Sequence, residues 1–337
     1  MNFAIIGATG NVGRKTIDIL EKSKLDIKEL HLVASKNSLG KKIKFKGNDL
    51  NVVALENFDF EKADITFFAA GSSIAEKYAK KASQKTIVID NSKFFRMDKD
   101  VPLIVPEVNP HHVSDFKKKN IIANPNCSTI QMVTALSPLH KEFTIKKVFV
   151  STYQAVSGAG KAAMDELFNQ TKGVYVNDSS IPEQFTKKIS FNVIPHIDVF
   201  MDDGSTKEEW KMSVETNKIL DKSIQVTAHC VRVPVFIGHS EAIFLECEKE
   251  INEEKARSIL RKADGVTVVD HRADEGYVTP AEVAGEDDVY ISRIRQNNFD
   301  KNNLVFWCVS DNLRKGAALN AVQIAELLIS KKLVSQK

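Results

Sequence analysis

Along the first 123 residues, short apolar runs alternate with stretches of helical periodicity. Phe3–Ile6, Leu30–Ala34, Ile65–Ala69, Thr86–Ile89, Leu103–Val105 and Ile121–Ala123 read as strands, with helices at Val12–Glu21 and Ile74–Ala82. Continuous apolar strands separated by helices predict a parallel sheet covered on both faces, an α/β doubly wound arrangement.

The pattern changes beyond residue 145. Lys146–Tyr153, Val226–Val233, Glu241–Glu248, Val266–Val269, Val289–Arg295 and Asn303–Val309 read as strands, several alternating with period two. Helices are expected at Gly160–Lys172, Thr206–Leu220 and Asn252–Ala263. Long strands with segregated helices predict an α+β domain, a mixed sheet with helices on one face. The polar stretch Val174–Lys188 lacks periodicity and reads as a loop with the character of a lid. Arg314–Leu333 is an amphipathic helix presenting Ala317, Ala321, Ile324, Ala325 and Leu328 on one face. It is expected to return to the first domain. The division that follows is a nucleotide domain over 1–126, completed by a C-terminal helix over 313–337, and a second domain over 127–312.

Composition adds mainly exclusions. The 337 residues, 43% hydrophobic and 27% charged, can bury a substantial core without disulfides. A net charge of +3 is too near neutral to argue for nucleic acid or a membrane surface. No run approaches the roughly 18 apolar residues of a membrane span. No signal-peptide pattern is visible ahead of the first strand. The four cysteines, Cys127, Cys230, Cys247 and Cys308, are scattered, without metal-ligand spacing. That usage fits a reducing compartment, so a cytoplasmic protein without a metal is expected.

Candidate chemistry centres on Asn124-Pro125-Asn126-Cys127-Ser128-Thr129, where a strand gives way to a helix. Ser128 and Thr129 are expected to cap that helix. A thiol at a helix N-terminus is made more acidic by the dipole and the unpaired N–H groups, which can also hold an oxyanion. The same residue reads equally as a small buried hydrophobe. Gly7-Ala8-Thr9-Gly10-Asn11-Val12-Gly13 follows the first strand and opens the first helix. This G-x-x-G-x-x-G variant fits a Rossmann-type dinucleotide turn, where glycines let the backbone approach a pyrophosphate on the helix N-terminus. The alternative is a tight turn without ligand.

The second strand ends in Ser35-Lys36-Asn37-Ser38, followed by Lys41, with no carboxylate for ribose hydroxyls. Hydroxyls and lysines favour the 2′-phosphate of NADP over NAD; either lysine alone also fits a solvated loop. His239, after Gly238, is a candidate acid/base, or a packed histidine. Arg232 at a strand end is suited to clamp a carboxylate or to an interdomain ion pair. Glu208 and Lys211 share a helix face, as a surface pair or as an acid and a cation for one substrate. Arg96 lies after the strand Thr86–Ile89, at the edge where open α/β sheets bind ligands, and is a candidate anion binder. Gln154 precedes the glycine-rich turn Ser157-Gly158-Ala159-Gly160 and is placed to orient an acyl group.

Taken in order, these motifs resemble aspartate-semialdehyde dehydrogenases. The resemblance runs along nearly the whole chain: Gly7–Gly13, Asn91–Met97, Val105–Asn109, Asn124–Thr129, Gln154–Gly160, Glu208–Lys211, Arg232–His239, Val289–Arg295 and Asp311–Glu326. It implies NADP-dependent reductive dephosphorylation of L-aspartyl 4-phosphate to L-aspartate 4-semialdehyde, with phosphate consumed in reverse. It also implies a place in lysine, threonine, methionine and diaminopimelate biosynthesis. Cys127 would be the acyl-forming nucleophile, His239 the acid/base, and Gln154 the positioner of the thioester. Asn126 and the Cys127 amide would stand near the oxyanion. Arg232 would take the substrate carboxylate and Glu208 its ammonium, with Arg96 and Lys211 on phosphate. Gly7, Thr9, Gly10, Asn11, Val12, Ser35, Asn37, Ser38, Ser157, Gly158 and Asn312 would line the cofactor site. A homodimer built through the second domain's sheet is implied too. One departure is Asn37, where relatives often carry arginine.

Competing expectations are an N-acetyl-γ-glutamyl-phosphate reductase, a glyceraldehyde-phosphate dehydrogenase, and a non-catalytic nucleotide sensor on the same fold. An acylated amine has no use for Glu208. A glyceraldehyde-phosphate dehydrogenase would place an acid at the end of the second strand. A sensor would have lost site residues.

Overall fold

The computed structural model describes residues 1–176, 181–296 and 300–334. The chain divides into two compact units, Met1–Pro125 with Ala317–Lys337, and Asn126–Gly316.

The first unit contains β1 (Asn2–Ile6), α1 (Asn11–Lys22), β2 (Glu29–Ala34), β3 (Lys42–Phe45), β4 (Asn48–Ala54), β5 (Ile65–Phe68), α2 (Ser72–Ala82), β6 (Ile87–Asp90) and β7 (Ile121–Ala123). Its sheet runs β3-β4-β2-β1-β5-β6-β7. The order reverses on either side of β1, as in doubly wound nucleotide folds. β1, β5 and β6 are buried almost throughout because both faces of the sheet are covered.

Three expectations are corrected. The sheet is not wholly parallel, because β3 and β4 form an antiparallel hairpin at its edge. Lys46 (φ 46°) and Gly47 (φ 81°) make its two-residue turn, the positive-φ geometry that matches strand twist. Leu103–Val105 is not a strand but a single bridge from Leu103 to Ala123. Pro102 and Pro106 flank it and cannot donate to a ladder. The C-terminal helix is shorter than expected, Leu319–Ser330, and is preceded by a π-helical turn over Arg314–Ala318. Ala321, Ile324, Ala325 and Leu328 pack into the first unit's core with Phe3, Ile5 and Phe67. The expected reach to 337 ends in 335–337, outside the described residues.

The second unit contains α3 (Cys127–Phe143), β8 (Ile145–Gln154), α4 (Lys161–Tyr175), α5 (Lys207–Ile219), β9 (Gln225–Arg232), β10 (His239–Cys247), α6 (Glu253–Arg261), β11 (Val266–Val268), α7 (Pro280–Val283), β12 (Val289–Gln296) and β13 (Asn303–Ser310). Its mixed sheet is ordered β11-β12-β13-β10-β8-β9, with β8–β9 and β11–β12 parallel and the rest antiparallel. α3, α5 and α6 cover one face through Leu136, Met212 and Leu260. The opposite face leaves Phe149 and Tyr153 exposed and Trp307 half-buried.

α4 extends into the stretch read as a loop from Val174. Part of that stretch, 177–180, lies outside the described residues. Beyond it the backbone is tied to α4: Glu183 and Gln184 donate N–H groups to Glu166 (3.0 and 2.5 Å), and Ile189 and Ser190 to Gln170 (2.8 and 3.2 Å).

Candidate active site

Cys127 is the first residue of α3, half-buried and outside any disulfide. The preceding Asn126 is extended (φ −62°, ψ 144°), and its Oδ1 accepts from Ser128 N (3.0 Å) and Thr129 N (3.3 Å). Asn126 is therefore the cap, which corrects the expectation for Ser128 and Thr129. A capping side chain must stand before the first helical residue. The hydroxyls of Ser128 and Thr129 lie inside the helix, buried and without partners. The cap also occupies two N–H groups that would otherwise be offered to an oxyanion.

Asn126 is fixed in turn by α5. Its N–H donates to Glu215 Oε2 (2.6 Å) and its Nδ2 to Glu208 Oε1 (2.9 Å). Gln154, the last residue of β8, donates Nε2 to the same Glu208 oxygen at 3.1 Å, while Thr152 Oγ1 donates to its Oε1 at 3.0 Å. Lys211 pairs with Glu208 and with Asp198 Oδ2 (3.1 Å). Positions 208, 211 and 215 share one face of α5, and a Thr206–Glu209 capping box starts that helix. Burial pushes the Glu208 carboxyl up. The Lys211 charge and hydrogen bonds from Lys211, Asn126 and Gln154 outweigh it and hold the group at about 2. Glu208 is thus a buried carboxylate, ionised at neutral pH.

β9 ends on Arg232 and β10 starts on His239. Gly238 between them has φ +99°, and a Cβ there would lie 2.8 Å from Pro280 O, so the turn needs glycine. His239 is fully buried, and its Nδ1 accepts from Ala155 N at 3.0 Å. That bond assigns the neutral ring's proton to Nε2, which is buried without a partner. Burial first, then the Arg232 charge, lowers His239 to about 3 against the opposing pull of Glu208. Arg232 Nη1 donates to Ala155 O at 2.7 Å. Burial lowers its guanidinium, while Glu208 and Cys127 favour its charge. Cys127, Glu208, Arg232 and His239 thus act on one another within one unit.

Small residues make room. A Cβ on Gly158 would sit 3.1 Å from His239 Nε2 and 3.3 Å from Arg232 Nη1. Asn312 accepts from Gly238 N at 2.9 Å and donates Nδ2 to Ser157 Oγ at 2.9 Å. Ser157, Gly158 and Asn312, expected on the cofactor, therefore also hold the turn that carries His239.

The remaining expected cofactor residues gather in the first unit. Gly7 has φ +89°, and a Cβ on it would lie 2.6 Å from Ala69 O; on Gly13 it would lie 2.2 Å from Gly7 O. Gly10 precedes α1, whose first turn, including Asn11 and Val12, holds no acid, so the positive helix end faces an anion unopposed. Thr9 Oγ1 and Ser38 Oγ meet at 3.3 Å, joining this turn to the loop after β2. Ser35, Lys36, Asn37 and Lys41 on that loop are exposed. These features fit a bound dinucleotide. Arg96, also in the first unit, is nearly buried and donates to Asn124 O and Asn91 O, each at 3.0 Å.

Sequence reasoning passed over Glu215, Asp198, Thr152 and Gly316. Glu215 had a signal, its i+7 spacing from Glu208 on one helix face. Gly316 had another, a glycine within a helical pattern; a Cβ there would lie 2.8 Å from Cys127 Cβ. Asp198 sits outside any helix or strand, so no periodicity points to it.

Known proteins show the same arrangement of domains. Residues 2–116 match the semialdehyde dehydrogenase NAD binding domain family, and residues 136–315 the semialdehyde dehydrogenase dimerisation domain family. The aspartate-semialdehyde dehydrogenase of Aquifex aeolicus (strain VF5) is 52% identical over 336 residues, covering 98% of each chain. The crystal structure of aspartate semialdehyde dehydrogenase II complexed with ASA from Vibrio cholerae has a TM-score of 0.95 at 44% identity, covering 98% of each chain. That of aspartate semialdehyde dehydrogenase with NADP from Candida albicans has a TM-score of 0.75 at 28% identity, covering 98% of this chain and 99% of that one.

Proposed function

This chain belongs to the aspartate-semialdehyde dehydrogenase family, and from that premise we propose how its own residues do the work. It is an oxidoreductase that interconverts L-aspartyl 4-phosphate and L-aspartate 4-semialdehyde in lysine, threonine, methionine and diaminopimelate biosynthesis. Its Rossmann-like domain binds an NAD(P)-type dinucleotide.

The Cys127 thiolate attacks the acyl carbon of aspartyl phosphate. A C–S bond forms and phosphate leaves, its charge met by Arg96 and Lys211. The dinucleotide, when bound, supplies the hydride that reduces the thioester. The resulting oxyanion accepts a hydrogen bond from His239 Nε2–H, and its collapse breaks the C–S bond, releasing the aldehyde and restoring the thiolate. Gln154 and Asn126 hold the acyl group, with the Cys127 amide beside the oxyanion. Arg232 takes the substrate α-carboxylate. Substrate divides the Glu208–Lys211 pair, its ammonium going to Glu208 and its phosphate to Lys211.

The observation that carries this reading is the buried, ionised Glu208 held between Asn126, Gln154 and Lys211. It suits a primary ammonium and gives an acylated amine nothing to bind. NADP is the proposed cofactor, supported by Ser35, Ser38, Lys36 and Lys41 around a second-strand loop without a carboxylate. A homodimer through the uncovered face of the mixed sheet is supported by the exposed Phe149 and Tyr153. A cytoplasmic location is proposed from the scattered cysteines, none of them in a disulfide among the described residues.

The test is phosphate-dependent dinucleotide reduction with aspartate semialdehyde, comparing wild type with Cys127→Ala and NADP with NAD at equal concentration. Activity lost in the variant and faster turnover with NADP are expected. Activity retained in Cys127→Ala overturns the mechanism. Equal rates with NAD overturn only the cofactor choice. Light scattering that reports a monomer overturns the dimer.

A further inference from the structure

Gln131 is a buried polar side chain that the mechanism above leaves unused. It lies on α3 four residues after Cys127, hence on the same helical face, and is fully buried. Its amide reaches out of the helix into the sheet. Nε2 donates to the backbone carbonyl of His239 at 3.2 Å, and Oε1 accepts from Ser310 Oγ at 2.8 Å. His239 and Ser310 are the terminal partners of the β10–β13 ladder. One amide therefore ties the helix that begins with the nucleophile to the strand end that carries the imidazole.

The rest of the grip on His239 comes from elsewhere. Ala155 N–H holds the ring at Nδ1, and Asn312, two residues after Ser310, holds the preceding Gly238 N–H. Without Gln131, nothing in this set joins His239 to α3. Glu241, two residues along β10 and on the same face, has both carboxyl oxygens buried without hydrogen-bond partners, and Gln131 is the polar side chain acting on it. Burial holds that carboxyl well above the usual range, so a neutral acid, not a charge, sits beside the amide.

We infer that Gln131 is a positioning residue for the acid/base step: it sets the distance between the Cys127 sulfur and His239 Nε2 by locking α3 to the first residue of β10. This rests on the role given to His239 above. Donation of the Nε2 proton into a hydrogen bond with the oxyanion requires Nε2 within reach of an atom attached to the acyl carbon on sulfur. A shift of α3 along β10 lengthens that path, while Arg232, held through Ala155 O, stays in place to bind substrate.

Gln131→Met keeps the volume and removes both hydrogen bonds. Gln131→Glu keeps the shape and the Ser310 bond but offers no donor to the His239 carbonyl, and it serves if the methionine variant does not fold. In the purified full-length enzyme, kcat should fall roughly 10–100-fold while KM for the semialdehyde stays within about threefold, the scale of a small misplacement. Alkylation of Cys127 should still titrate one thiol per chain. The decisive measurement is the same substitution in a His239→Asn background. A residue that acts through His239 costs little more there, whereas a purely structural one costs its full factor again. Wild-type kcat in the single variants, or full additivity in the double variant, overturns the inference while the proposed mechanism stands. If His239→Asn alone turns over normally, the acid/base assignment itself is wrong, and the inference falls with it.

Discussion

The nucleotide turn of the first unit and the charge cluster of the second are built from different materials. The Gly7–Gly13 turn is made of backbone. Gly7 and Gly13 lie where a Cβ would strike another carbonyl, its helix end is left without an opposing acid, and one hydroxyl contact joins it to the next loop. The cluster around Cys127 is made of side chains from α3, α5, β8, β9 and β10, with an ionised glutamate, a neutral histidine and an arginine all buried. A backbone site tolerates change in its surroundings but not in its glycines. A buried charge site has no such division, because removing one partner strands another.

The largest effect that sharpens this contrast is at the thiol. Cys127→Ala should abolish turnover by roughly four orders of magnitude or more, read as semialdehyde-dependent dinucleotide reduction, while dinucleotide binding measured by fluorescence stays near wild type. Loss of both would break the separation of the two regions. Next is Glu208→Gln, which removes the charge from a carboxylate with three hydrogen-bonding partners. kcat/KM for the semialdehyde should fall about 100-fold, the scale of one broken buried charge contact. KM for the dinucleotide should be little changed.

Gly13→Ala attacks the other region. With a Cβ 2.2 Å from Gly7 O, the turn must open. A loss of about 1–3 kcal/mol of stability by denaturant titration is expected, the usual cost of overpacking, along with weaker dinucleotide binding. A variant as stable as wild type would show that the turn is looser than its geometry.

The smallest effect is in pH. His239 sits near 3 when folded and near its ordinary 6.5 when unfolded, so the unfolded chain takes the proton first as pH falls. Its contribution is complete above pH 6.5 and fades toward pH 3. Glu208, lowered from 4.5 to about 2, contributes fully above pH 4.5 and fades toward pH 2. Thermal midpoints of His239→Asn should therefore lose less than wild type between pH 6.5 and 5, and parallel it above. Identical curves would mean that the imidazole is solvated in the folded protein.

The same contrast governs what could be read from the chain. The dinucleotide turn was legible because glycine spacing, strand and helix lie within a dozen residues. The edge hairpin beside it was missed although Lys42–Phe45 alternates cleanly. β3 is short and charged on one face, and the Lys46–Gly47 turn is not among the common hairpin pairs. Leu103–Val105 misled because apolar composition reads as strand whether or not flanking prolines leave N–H groups to pair. In the second unit, Cys127, Glu208, Arg232 and His239 were each visible as candidates beside a mundane reading, which for Glu208 and His239 was the commoner one. No local pattern could choose between those readings.

The amino-acid order by itself determined the two-domain plan and the family and put forward the candidate reactive groups, because periodicity and short motifs are properties of neighbours along the chain. Tertiary structure alone decided that Asn126 and not Ser128 caps α3, and that Glu208 is ionised while His239 is neutral. It also brought Gln131 to the backbone carbonyl of His239. The charge states and the Gln131 contact depend on burial and on partners tens of residues distant, whereas the cap depends on where α3 begins; desolvation and long-range hydrogen-bond geometry come into being only when those segments meet.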